Sequence, residues 1–315
     1  MLGGQLRSVG EKLAWRCKLV ENIKLQSVNI PNGETITYRE RAGGDEVILL
    51  IHGNMTSSKH WDLLLETLPP QYKLYAVDMR GFGGSSYRQP IESIKDFSED
   101  IKSFIDAVGL NKFSILGWST GGTVAMRYAI DYPADVHKLV LLCSGSTRGY
   151  PFMSVGATGE SIRLTTLEEI KKDSTKTIPV SQAYEQRNKD FLKAVWNSLI
   201  YTNNQPDEQK YDEYLEDMLT QRNLSEVYHA LNIFNISNVH NGVAEGSGEA
   251  KKITHPTLIL AGENDLVIPQ QMTEEIKEDL NDQAELMYLK GCGHSPLIDD
   301  LDQLQLAITN FLQKH

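Results

Sequence analysis

The run from Phe113 to Tyr132 constrains the fold more than any other part of the chain. Phe113–Gly117 reads as a buried strand, and Thr120–Tyr132, stopped by Pro133, reads as a helix. Only the joint Gly117-Trp118-Ser119-Thr120-Gly121 separates them. So short a connection must turn sharply. It forces Ser119 out of ordinary backbone space and needs glycines wherever neighbouring chain passes close by. A strand feeding straight into a helix is the building unit of a parallel sheet, because parallel strands need a crossover to pair.

The flanks repeat the unit. Lys24–Ile30 and Glu34–Arg41 are expected as strands around the turn Pro31-Asn32-Gly33. Val47–Ile51 is a continuous apolar strand of the kind buried on both faces. A helix over Trp61–Leu68, a strand over Lys73–Asp78 and a helix over Ile94–Val108 follow; in that helix Ile94, Phe97, Ile101, Ile105 and Val108 form a stripe. Leu139–Cys143 is the next strand. From about Gly145 to Ala250 the alternation gives way to a mostly helical, aromatic-rich stretch. It then resumes with strand Thr257–Ala261, helix Thr273–Leu280, strand Leu286–Leu289 and helix Leu301–Leu312. The expected architecture is α/β: a mostly parallel eight-stranded sheet with helices on both faces, built from residues 23–145 and 251–315, with an inserted helical cap over 146–250. In open α/β sheets ligands bind outside the carboxyl ends of the strands, where such a cap would lie.

Composition narrows the partners. The 315 residues carry a net charge of -11, which repels phosphate backbones and argues against nucleic acid. Cys17, Cys143 and Cys292 are odd in number and far apart, so neither a disulfide framework nor a zinc site is expected, and a reducing, cytoplasmic setting fits. No apolar run reaches the roughly 18 to 20 residues that span a bilayer. Residues 1–22 form a basic, amphipathic arm: Leu2, Leu6, Val9, Leu13 and Val20 share a helical face, among Arg7, Lys12, Arg16 and Lys18. Such an arm leans on the core, or lies on a membrane or lipid-like particle.

A serine hydroxyl held up at a helix N-terminus is a candidate nucleophile, but it needs a base. His294, in the loop Gly291-Cys292-Gly293-His294-Ser295-Pro296 after the last strand, is the candidate. His52 is its main rival and is assigned a structural part. Asp265, after the strand Thr257–Ala261, is the acid expected to orient the imidazole, with Glu263 as the nearby alternative. The order Ser…Asp…His is the one specific to one fold among triad enzymes. An oxyanion needs two amide donors: Thr120, directly after the serine, and Asn54, in the loop His52-Gly53-Asn54-Met55. Met55 and Trp118 are expected against the substrate. Asp78-Met79-Arg80-Gly81-Phe82-Gly83-Gly84 lacks the third glycine of a dinucleotide fingerprint and reads as a structural turn. No P-loop, H-E-x-x-H or EF-hand pattern occurs, so no metal or other cofactor is expected.

Together HGN at His52, DMRGFGGS at Asp78, GWSTGG at Gly117 and the GENDLVIP/GCGHSP pair resemble the α/β-hydrolase superfamily from about Lys24 onward. The resemblance implies a capped site and ester or acyl chemistry through an acyl-enzyme. Haloalkane dehalogenases share the HGN loop but place Asp where this chain has Ser119. Carbon–carbon bond hydrolases share the serine but usually have a more glycine-rich oxyanion loop. The elbow, with Ser144-Gly145-Ser146-Thr147-Arg148-Gly149-Tyr150-Pro151 and Phe234-Asn235-Ile236-Ser237, is also similar to bacillar intracellular short-chain polyhydroxyalkanoate depolymerases. That similarity implies poly(3-hydroxybutyrate) as substrate and a granule surface as partner. A generic short-chain carboxylesterase or lipase-like enzyme, a carbon–carbon bond hydrolase and a non-catalytic binding protein on the same fold are the alternatives.

Overall fold

The computed structural model describes residues 23–280 and 284–314. The amphipathic arm expected over residues 1–22 lies outside the described residues.

The chain opens with the antiparallel pair β1 (Ile23–Asn29) and β2 (Thr35–Arg41). Their turn closes at Gly33, whose φ of 89° suits a residue without a Cβ. β3 (Glu46–Ile51) leads through a 3-10 turn at Ser58–Trp61 to α1 (Asp62–Thr67), then β4 (Tyr72–Val77) and α2 (Ile94–Val108). The start of α2 is fixed by a reciprocal cap: Asp96 accepts from the amide of Ser93 at 2.8 Å. Gly109 ends it in the left-handed region, at φ 71°. β5 (Phe113–Trp118), α3 (Thr120–Asp131) and β6 (Val136–Leu142) follow. Between β6 and the next sheet strand lie the short pair β7 (Met153–Val155) and β8 (Ser161–Arg163) and the helices α4 (Leu167–Lys171), α5 (Thr177–Glu185), α6 (Lys189–Leu199), α7 (Glu208–Met218) and α8 (Leu224–Ile233). The sheet then resumes with β9 (Thr257–Gly262), α9 (Gln270–Leu280), β10 (Ala284–Leu289), α10 (Pro296–Asp299) and α11 (Leu301–Gln313).

The eight-stranded sheet runs β1-β2-β4-β3-β5-β6-β9-β10. β2 is antiparallel to both its neighbours, and the remaining pairs are parallel. This is the expected α/β architecture. Its two faces bury separate apolar clusters. One joins the sheet to α2, α3 and α9 through residues such as Phe97, Phe104, Val124 and Ile276. The other joins it to α1 and α11 through Leu64, Leu65, Ile308 and Phe311, and continues into α6 and α7 at Trp196, Tyr211 and Tyr214. The stretch between β6 and β9 is mostly helical, as expected, but also contains the β7–β8 pair. Strands of only three residues carry too little alternation to register in sequence.

Arg41 is the largest charged side chain in this interior and is fully buried. Its guanidinium donates to the carbonyls of Leu65, Leu68, Pro69 and Tyr72 at 3.1, 2.5, 3.0 and 2.6 Å, tying the end of α1 to the start of β4. Burial without a counter-ion lowers its pKa to about 10.

α7 is held on the core by polar contacts along its whole length, from Lys210 to Asp217. Asp62 accepts from Tyr214 Oη and from Lys210 Nζ, each at 2.6 Å, and Lys59 meets Glu213 at 2.6 Å. Asp217 accepts from Ser57 Oγ at 2.5 Å and faces His60 Nδ1 at 3.2 Å. His60 itself stacks on Tyr214, with ring centroids 4.3 Å apart.

Candidate active site

The joint between β5 and α3 takes the form its glycines anticipate. Ser119 has φ 55° and ψ -119°, a conformation that L-residues hold only when the surrounding structure imposes it. A Cβ on Gly117 would stand 2.3 Å from the carbonyl oxygen of Gly121, and one on Gly121 would stand 2.1 Å from that of Ile51. Gly122 is equally constrained: a Cβ there would meet Ser144 Oγ at 2.1 Å. The serine is fixed further by its amide, which donates to the Leu142 carbonyl of β6 at 2.9 Å, and by its carbonyl, which accepts from Gly122 at 2.9 Å.

Asp265 and His294 arrive from loops after β9 and β10. The imidazole Nδ1 lies 2.9 Å from Asp265 Oδ2, and both side chains are almost wholly buried. The other carboxylate oxygen accepts the amides of Val267 and Ile268 at 2.8 and 2.9 Å, which orients the acid. Burial alone would raise the Asp265 pKa; the His294 charge, its hydrogen bond and the two amides outweigh it and hold the carboxyl below its ordinary value. Glu263, the alternative acid, instead accepts from the amide of Gly291 at 2.9 Å, on the loop's outer side. Trp118 Nε1 donates to the His294 carbonyl at 2.9 Å, and its ring lies 5.8 Å from the imidazole, so the indole braces the histidine loop from behind.

Ser119, Thr120, His294, Asn54 and Met55 all line one cavity of 380 Å³. Its remaining walls come largely from the segment between β6 and β9, including Tyr150, Phe152, Phe191, Trp196 and Tyr228, with Val267 and Ile268 on the far side. Of the two residues expected against substrate, Met55 lines this cavity. Trp118 is a correction: it is buried behind the site, because the last residue of β5 points its side chain into the sheet's core face. Among the described residues no acceptor takes the amide of Asn54 or of Thr120.

His52, the rival histidine, is fully buried and lies in the core side of the loop after β3. Its Nδ1 bonds the Gly53 carbonyl at 2.7 Å, its Nε2 accepts from the Met79 amide at 3.0 Å, and burial lowers its pKa to about 4. It therefore stays neutral and joins two loops. Asp78 does similar work in the glycine turn, accepting from the amides of Ser58 and Gly84 at 2.9 and 2.8 Å.

Two residues had no sequence signal. Gln221, between α7 and α8, donates to the Asn54 side-chain carbonyl at 2.7 Å and accepts from Tyr184 Oη at 3.1 Å. Cys143, with φ 43°, places its thiol beside the acid and the histidine; donor atoms of Cys143, Asp265 and His294 lie within 4.8 Å of one another. Burial first, then the Asp265 charge, push the thiol far above its usual value. A thiol so reluctant to ionise, beside an imidazole already engaged by a carboxylate, suits a hydrogen-bonded pair better than a thiolate metal ligand. The positive φ at 143 is invisible in sequence.

The family model for the alpha/beta hydrolase fold matches residues 46–301. A 2-hydroxy-6-oxononadienedioate/2-hydroxy-6-oxononatrienedioate hydrolase of Pseudomonas sp is 22% identical over 294 residues, covering 91% of this chain and 96% of the relative. An esterase from Exiguobacterium antarcticum superposes with a TM-score of 0.69 at 18% identity, over 92% of this chain and 99% of that one. A serine hydrolase involved in carbazole degradation gives 0.67 at 21%, over 93% and 100%. At these identities the solved structures speak for the fold alone, while the family model spans the elbow, the acid and the histidine together. The chain belongs to the alpha/beta hydrolase fold family.

Proposed function

We propose that this protein is a serine hydrolase of carboxylic esters. The observation that carries the reading is the 2.9 Å contact between His294 Nδ1 and Asp265, at a cavity that Ser119 and His294 both line. In this scheme Ser119 Oγ attacks the ester carbonyl carbon while His294 Nε2 takes its proton. Asp265 holds the ring in the tautomer that leaves Nε2 free and stabilises the imidazolium. The amides of Thr120 and Asn54 receive the developing oxyanion. The tetrahedral adduct collapses, the carbon–oxygen bond to the alcohol breaks, and the alcohol leaves with the proton from His294. Water, deprotonated by the same imidazole, then releases the acid and restores the serine.

A second reading, hydrolysis of a carbon–carbon bond beside a ketone, is supported by the similarity to the Pseudomonas hydrolase of a dienedioate. It uses the same residues but needs a proton delivered to carbon. The polyhydroxyalkanoate reading rests on the motifs around Ser144–Pro151 and Phe234–Ser237. An apolar, aromatic cavity suits the neutral backbone of such a polyester.

Turnover of 4-nitrophenyl butyrate, a vinylogous 1,5-diketone and amorphous poly(3-hydroxybutyrate) by the same preparation separates these readings. The ester is expected to be cleaved with the highest kcat/KM. Turnover of the diketone with none of the ester would overturn the ester reading, and release of 3-hydroxybutyrate would extend it to the polymer.

A further inference from the structure

The walls of the cavity above Ser119 hold no carboxylate and a single ammonium, that of Lys176, among the described residues. Lys176 stands just ahead of α5, where the side chain is open to solvent on one side and lines the cavity on the other. Its Nζ lies 5.3 Å from the centroid of the Phe152 ring, another wall of the same cavity. A cation over an aromatic face is held in place without being neutralised.

The neighbouring acid acts on it through its charge and not through a direct contact. Asp173 is buried, and both its oxygens are occupied. Oδ1 accepts from Ser154 Oγ and from Thr175 Oγ1, and Oδ2 accepts from the amides of Lys176 and Thr177 at 2.7 and 3.1 Å. Asp173 thus fixes the backbone of Lys176, and among the described residues no anion stands in ion-pair contact with the ammonium. Several other partly buried cations meet an anion: Arg80 meets Asp100, Arg127 meets Asp131, Lys210 meets Asp62 and Lys59 meets Glu213. The fully buried Arg41 and Lys138 instead donate to backbone carbonyls. An ammonium with no direct anionic contact at the mouth of an apolar cavity is the arrangement that a ligand's own anion completes, since a charge pair at a partly desolvated site is stronger than one in open water.

We propose that Lys176 is a carboxylate-binding residue at the mouth of this cavity, selecting substrates that carry a free carboxylate remote from the bond presented to Ser119. The catalytic consequence rests on the reading of Ser119 as nucleophile; the binding site itself does not. The carboxylate has two sources, the acyl portion or the alcohol portion of the ester, and both present the same planar anion to the ammonium.

Two matched pairs of substrates distinguish the sources. On the acyl side, the 4-nitrophenyl monoester of glutaric acid is compared with 4-nitrophenyl pentanoate. On the alcohol side, 3-butyryloxybutyrate is compared with its methyl ester. In the protein as it stands, kcat/KM is expected to favour the charged member of one pair by about tenfold. Lys176→Met should lower that ratio at least tenfold, mainly through KM, and Lys176→Arg should keep most of it. Equal ratios in the parent protein and Lys176→Met, on both arms, would overturn the proposal. Binding of glutarate, followed by the fluorescence of Trp196 in the cavity wall, gives a readout that needs no turnover. Weaker glutarate binding in a folded Lys176→Met protein supports the carboxylate site even if neither ester is cleaved, a result that would sink only the esterase reading. Unchanged glutarate affinity in that variant would sink the site itself.

Discussion

The Gln221 side-chain amide donates to the Asn54 side-chain carbonyl at 2.7 Å, across 167 positions of sequence. The bond ties the segment between α7 and α8 to the loop after β3, where Met55 sits at φ 60°. In the proposed scheme this loop holds the Asn54 amide toward an oxyanion and gains from such a brace, because a donor that has to reorganise stabilises the transition state less.

Gln221→Ala removes the brace and leaves Tyr184 Oη without its acceptor. The expected outcome is a drop in kcat for 4-nitrophenyl butyrate of about tenfold, equivalent to ~1.4 kcal/mol of transition-state stabilisation, with a smaller change in KM. Steady-state kinetics measures both. A change in KM alone would mean that Gln221 shapes the cavity without positioning Asn54.

In the proposed scheme Asp265 ties activity to acid stability. Its carboxyl is held below its ordinary pKa in the folded chain, mainly by the His294 charge working against burial. Such a group adds stability that is fully present above the unfolded value, about 3.9, and is lost as pH falls through the folded one. The stability gap between the parent protein and Asp265→Asn should therefore narrow as pH falls below about 4, in urea titrations at each pH. At neutral pH the same variant should lose about four orders of magnitude in kcat, since an amide no longer selects the tautomer that leaves Nε2 free.

Much of this site was legible because it rests on local constraints. The glycines at 117, 121 and 122 could be read as close approaches, and the structure shows what a Cβ there would strike. Asp265 and His294 could be read from their place after apolar strands, and the 2.9 Å contact joins them. What was not legible depends on contacts between distant segments. Nothing around Gln221 indicates that it reaches Asn54, and nothing around Lys176 indicates that Asp173 is saturated by four donors. Trp118 was misplaced for a related reason: period-2 alternation gives the face of a strand, but not which face a sharp turn presents to the cavity. The β7–β8 pair escaped because its turn is governed by Gly159 at φ 89° and a Gly156 that a Cβ would drive into the Glu160 carboxylate.

Arg41 is expected to matter for stability and not for chemistry. Truncating it to Ala strips donors from four carbonyls between Leu65 and Tyr72 and opens a void beneath α1. The expected loss is about 3–5 kcal/mol in chemical denaturation, in line with breaking a buried polar network. Arg41→Lys should recover only part of it, because one ammonium cannot reproduce the planar fork that reaches all four oxygens. A loss under about 1 kcal/mol for the Ala variant would show that water replaces the guanidinium without penalty.

The central claim is that the hydroxyl of Ser119 forms the covalent bond to substrate. The most direct measurement is the rate of 4-nitrophenyl butyrate hydrolysis by folded Ser119→Ala, alongside the intact mass of both proteins after treatment with a fluorophosphonate. A fall in kcat of about four to six orders of magnitude is expected, with a phosphonyl adduct on the parent protein and none on the variant. Ester hydrolysis by Ser119→Ala at the parent rate would contradict the claim.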